Sequence, residues 1–153
     1  MWLTTVDGFF SIVDKSPEGD DWLLVRARDE QSLIDMKQRM VDFVKNNDVG
    51  ALVKTPSDEG IMWQGRFWMG ERREGAGTDY EWRMDVPRAL LMGYFNLTVD
   101  DLHYSNFKSA AEFRWTERHG EHVGTMRAIA IGEVWEQIHS LWPRIKLRPS
   151  SSD

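Results

Sequence analysis

The histidines and the paired carboxylates are the residues of this chain whose types could carry out a reaction. His119 and His122 stand three apart in His119-Gly120-Glu121-His122. On one helix an i, i+3 pair could offer two nitrogens to zinc, with a carboxylate completing the set. Gly120 and Gly124 flank the pair, however, and a loop or helix start does not preset that geometry. The spacing also lacks the His-Glu-x-x-His form that puts both ligands on one helical face. This pair, like His103 and His139, reads as polar surface. Asp20-Asp21, Asp58-Glu59 and Asp100-Asp101 are adjacent carboxylates, whose side chains diverge on a strand or a helix. Acid–base catalysis needs carboxyls converging from different elements, with environments that separate their pKa values. Asp100-Asp101 instead predicts a helix N-terminus, where carboxylates complement the dipole. Tyr104 and Phe107 read as core neighbours, with Ser105, Asn106 and Lys108 turned outward. Cysteine is absent, which excludes disulfides, thiolate zinc, iron–sulfur clusters and thiol nucleophiles. No Gly-x-Ser-x-Gly elbow occurs. The expectation is a protein that is not an enzyme, with no catalytic residue, no metal and no cofactor.

Binding is the more promising chemistry. Glu71 to Thr78 sets Arg72 and Arg73 beside glycine-rich backbone. A phosphate cradle needs backbone N–H groups converging at a helix N-terminus, whereas a strand follows here. The arginines themselves remain, so Arg66, Arg72, Arg73 and Arg83 are the candidate ligands for a nucleotide or other small anion. Nucleic acid is a poor fit: residues 1–60 carry 7 Lys/Arg against 12 Asp/Glu, residues 61–153 carry 12 against 13, and the net charge is −6. Such a balance repels a phosphate backbone. Arg144, Lys146 and Arg148 form only a short basic run near proline. Eight tryptophans and seven phenylalanines are many for one small core. Indoles are enriched at interfaces, and Trp63, Trp68 and Trp115 are the candidates for contacting a partner.

These residues must be positioned by elements that the pattern predicts. Trp2–Val6 and Phe9–Val13 form a hairpin about the turn signal Asp7-Gly8, with Gly8 supplying a positive φ. Residues 22–28 alternate as a third strand, with Leu23, Val25 and Ala27 on one face and Arg26 and Arg28 on the other. Asp29 caps a helix over 30–45, whose apolar face is Leu33, Met36, Met40, Val41 and Val44. Residues 50–55 form a short strand. Residues 61–69 read as a strand or an anchored loop, residues 70–78 as a flexible turn, and residues 80–85 as a half-buried strand. Pro87 opens a second helix with Leu90, Leu91, Tyr94 and Phe95 on its apolar face. Asp100-Asp101 opens a third, and Ile131 to Trp142 forms a periodic last one, stopped by Pro143. Strands outnumber the crossover helices, so the expected fold class is α+β: a mainly antiparallel sheet with helices on one face, of ferredoxin-like character. At 153 residues the chain suits one domain over 1–144, with 145–153 a flexible tail. No apolar run reaches the ~20 residues of a membrane span and no secretory signal is visible, which predicts a cytoplasmic protein.

Met-Trp-Leu-Thr-Thr with Asp-Gly-Phe-Phe-Ser-Ile-Val at the start, Leu-Val-Arg-Ala-Arg at 24–28, Asp-Tyr-Glu-Trp-Arg at 79–83, Tyr-Ser-Asn-Phe-Lys at 104–108 and Val-Trp at 134–135 together resemble a family of small actinobacterial and actinobacteriophage proteins of no assigned activity. Departures fall at 56–77 and after Trp142. The resemblance implies a compact α+β domain in a bacterial or phage-infected cytosol, and it supplies no catalytic residue. The leading functional expectation is a non-enzymatic protein-binding or regulatory module, in a phage setting one acting on host machinery or defence, with a protein partner or a second copy of itself. The alternatives are a binder of a nucleotide or other anionic small ligand, and an acidic immunity-type inhibitor.

Overall fold

Thr5 and Gly8 face each other across the end of the first hairpin, which pairs β1 (Trp2–Thr5) antiparallel with β2 (Gly8–Val13). The structure is a computed structural model and describes residues 1–17, 20–54, 59–63, 65–68, 72–74 and 79–141. The turn residues are Val6 and Asp7, one position earlier than the expected Asp7-Gly8. Among the described residues only Asp48, Gly65 and Gly120 have a positive φ, so Gly8 is not needed for a primed turn. It is needed for close approach: a Cβ at Gly8 would come within 2.6 Å of Ser32 Cβ. Gly8→Ala is expected to cost about 1–3 kcal/mol, as overpacking usually does. The check is a lower urea midpoint with an unchanged m-value.

β3 (Trp22–Ala27) lies beside β2, and β8 (Trp82–Pro87) lies beside β3. β7 (Arg72–Glu74) forms the far edge of this five-stranded sheet, whose order is β1-β2-β3-β8-β7 with every pair antiparallel. The α+β class with a mainly antiparallel sheet is therefore present. The ferredoxin-like detail is not confirmed: β1, β2 and β3 are sequential neighbours joined without a crossover helix, unlike a βαβ repeat. β7 falls inside the stretch read as a turn; residues 69–71 and 75–78 around it lie outside the described residues.

Helix α1 (Glu30–Asn47) begins as its sequence dictates. The Asp29 carboxylate accepts from the Ser32 backbone N–H at 2.8 Å, and Asp48 ends the helix in a left-handed conformation with φ 50°. Helix α2 (Arg88–Asp100) follows Pro87, which has no N–H to lose at a helix start. Both helices bury one face of the sheet: Phe10, Ile12, Val25, Ala27, Met84 and Val86 meet Leu33, Met36 and Met40 of α1 and Leu90, Leu91 and Tyr94 of α2. Strands β4 (Ala51–Lys54), β5 (Glu59–Trp63) and β6 (Arg66–Trp68) form a second antiparallel sheet, turning at Gly65 with φ 75°. The segment over 61–69 is thus part of a hairpin, and its Ile61 and Trp68 join the core.

The chain divides into two compact units, Met1–His103 and Tyr104–Asp153. Residues 142–153, including the expected tail, lie outside the described residues. The second unit is a hairpin of α3 (Phe107–His119) and α4 (Glu121–Leu141), bent at Gly120 with φ 89°. A Cβ at Gly124 would lie 2.8 Å from the Thr116 backbone N and 2.9 Å from the Glu112 carbonyl, so the helices touch through glycine. Asp100-Asp101 closes α2 and opens nothing; Asn106 caps α3, accepting from the Ser109 N–H at 3.2 Å. The Asp101 carboxylate is engaged elsewhere, as described next. No helix among the described residues is long and apolar enough to cross a membrane.

Candidate functional site

Alternation along a strand sends successive side chains to opposite faces, and directly opposed residues on neighbouring strands share a face. Val25, Ala27, Met84 and Val86 face α1 and α2, so Arg26, Arg83 and Asp85 point to the second face. Register then does the rest. Trp2 opposes Ser11, Ser11 opposes Arg26, Arg26 opposes Arg83, and Arg83 opposes Arg73. One transverse row across all five strands therefore reads Trp2, Ser11, Arg26, Arg83, Arg73. Strands lie about 4.8 Å apart, so the three guanidinium groups occupy roughly 10 Å of sheet at their roots.

Like charges directly opposed in a sheet destabilise it. Neighbouring side chains soften that cost. Arg26 Nη2 donates to Ser11 Oγ at 2.6 Å, and its guanidinium lies 5.0 Å from the Tyr80 ring centroid. Both of those partners are neutral. Arg26 Nε is buried with no hydrogen-bond acceptor. Arg73 Nη1 donates to Asp85 Oδ2 at 2.7 Å. Arg26, Arg83 and Arg73 thus bring three cations to one face of a chain of net charge −6. Arg28 and Glu81, both exposed, continue the alternation beyond the strand ends with opposite charges. Rings border the patch: Trp2 is 74% exposed, and its centroid lies 6.2 Å from that of Phe9.

Two of the four arginines expected to hold an anion, Arg73 and Arg83, are brought together here. The other two are not. Arg72 opposes Met84 on the helix side and pairs with Glu30 of α1 at 3.0 Å. Arg66 belongs to the small sheet and pairs with Asp20 at 3.0 Å. Arg26 was missed; its face was legible from the alternation of 22–28, but its neighbour was not, because β3 and β8 are about sixty residues apart. Among the indoles expected to meet a partner, Trp63 is half-buried while Trp68 and Trp115 are buried. Trp68 donates its Nε1–H to the Asp85 carbonyl, with its ring 6.4 Å from that of Trp22. Trp115 lies under the Arg127 guanidinium at 3.9 Å and beside His119 at 4.8 Å. These two are packing rings rather than surface anchors.

A second polar cluster lies inside the first unit and locks the hairpin to both helices. Asp7, turned inward, accepts from Tyr94 Oη at 3.0 Å, and that hydroxyl lies 2.7 Å from Thr5 Oγ1. Arg39 of α1 reaches Asp7 Oδ2 at 3.4 Å and Asp101 Oδ2 at 2.7 Å. Thr5, Asp7, Arg39 and Tyr94 are all buried. Burial opposes charge on Arg39, but the carboxylates of Asp7 and Asp101 outweigh it and raise its pKa. Burial, then the charge of Asp7, also pushes the Tyr94 phenol well above its ordinary value near 10. In the unfolded chain this phenol ionises near pH 10, whereas in the folded chain it stays neutral to higher pH. Its contribution is therefore complete below about pH 10 and is lost as pH rises beyond it. Tyr94→Phe is expected to flatten the alkaline fall in stability, measured by urea melts from neutral pH to pH 11. None of these residues carried a sequence signal for this role: Asp7 reads as a turn residue and Tyr94 as part of an apolar face.

Among the described residues, no group of three or more His, Cys, Asp or Glu is placed to hold a metal ion. Compared with known proteins, the chain matches no family model, no curated protein and no solved structure.

Proposed function

We propose that this protein is a binding module whose working surface is the second face of the five-stranded sheet, where it takes a multiply charged anion. The observation that carries this reading is the Arg26–Arg83–Arg73 row, held in register on three adjacent strands. Guanidinium groups suit phosphate and carboxylate because their planar donor sets match those oxygens. A calorimetric titration with inorganic tripolyphosphate tests it. Saturable binding that weakens as salt rises supports the reading. No heat of binding up to millimolar ligand contradicts it.

A second reading, a protein partner or a second copy, is favoured by a different observation. Phe113 of α3 and Met126, Ile129 and Val134 of α4 are all exposed, at 63%, 53%, 48% and 42%. Light scattering on the purified chain tests it. A complex or dimer disrupted by Phe113→Ser supports a contact there; a monomer with no partner in host lysate counts against it.

A further inference from the structure

We infer that the anion taken by the second face is a nucleotide, its base stacked on Trp2 and its phosphates laid along Arg26, Arg83 and Arg73. This rests on the anion-binding reading and names its ligand class. The row orders its chemistry in one direction: an aromatic ring at the β1 edge, the buried Ser11 whose hydroxyl accepts from Arg26, then three arginines rooted in register on adjacent strands. Two strand spacings, about 10 Å, separate the root of Trp2 from that of Arg26. A ligand filling this order has a flat ring at one end and negative charge extending away from it. A nucleoside polyphosphate has that plan, whereas inorganic phosphates and dicarboxylates lack the ring. Trp2 is available for stacking: it is 74% exposed, and Phe9 meets it tilted by 60° rather than face to face. The edge that carries it is fixed, because the Ile12 N–H donates to the Met1 carbonyl at 2.8 Å and extends the β1–β2 pairing past Trp2. Stacking on an aromatic side chain tolerates any base, since every base has a π-face. The site therefore selects nucleotides as a class and leaves the base unspecified. The acidic remainder of the chain disfavours a long nucleic acid, whose phosphates would run beyond the patch.

The test compares metal-free ATP with inorganic tripolyphosphate on the intact chain, by calorimetry, in wild type, Trp2→Ala, Trp2→Phe and Arg83→Thr. Wild type is expected to bind ATP about tenfold more tightly than tripolyphosphate, the scale of one base stack. Trp2→Ala should erase that preference and leave tripolyphosphate affinity unchanged, Trp2→Phe should keep most of it, and Arg83→Thr should weaken both ligands together. Equal affinity for the two ligands in wild type, or a preference that survives Trp2→Ala, overturns the nucleotide assignment while the anion-binding reading stands. Binding of neither ligand removes both.

Discussion

Arg39→Ala is expected to lower the unfolding free energy by about 3–5 kcal/mol, the cost of breaking a buried ion pair by removing one partner. The Asp7 side chain has no exposed surface and lies at the hairpin turn, and Arg39 is the cation that faces it. Without the guanidinium, a carboxylate is left in a region of low polarizability, and Asp101 loses its 2.7 Å contact at the end of α2. Small domains hold only about 5–15 kcal/mol in total, so this variant should be largely unfolded under mild urea. Asp7→Asn should cost less in an Arg39→Met background than in wild type, because no charge is then stranded. A double-mutant cycle by urea unfolding measures that coupling. Strict additivity would mean that Asp7 and Arg39 do not act as a pair.

Arg83→Thr should have the opposite profile. Arg83 is flanked in register by Arg26 and Arg73, so its removal relieves two like-charge oppositions. Threonine also suits a strand. Stability should stay within about 1 kcal/mol of wild type, the size of a cross-strand pair. Anion affinity should nonetheless fall about tenfold or more, as expected for a lost hydrogen bond to a charged group. Urea unfolding and calorimetry on the same preparation read both quantities. An arginine kept for the scaffold would behave otherwise, its loss lowering stability and leaving tripolyphosphate affinity alone.

These two variants separate what the sequence makes visible from what it hides. Local pattern identified α1 through its Asp29 cap and its apolar spacing, and the alternation in β3 and β8 placed their faces correctly, because each depends on near neighbours in the chain. Register between distant strands has no local signature. Arg73 and Arg83 were legible as cations, but their alignment with Arg26 required β3 to lie against β8. Asp7 shows the converse failure. Asp-Gly is a strong turn signal, yet here the carboxylate was drawn toward Arg39 and Tyr94, and the turn moved back one residue to accommodate it. Asp100-Asp101 misled for the same reason: a pair that resembles a helix start ends a helix because Arg39 holds Asp101. Tryptophan content alone could not separate packing rings from surface rings. Trp68 and Trp115 are internal, and Trp2, the exposed indole among the described residues, looked like an ordinary strand residue.

An amide NMR titration of the intact chain with tripolyphosphate addresses the binding face most directly, since it reports where the anion sits as well as whether it binds. The account predicts saturating shifts centred on Ser11, Arg26, Arg83 and Arg73. Shifts centred on Arg66 or confined to 104–141, or a spectrum that does not change, would contradict it.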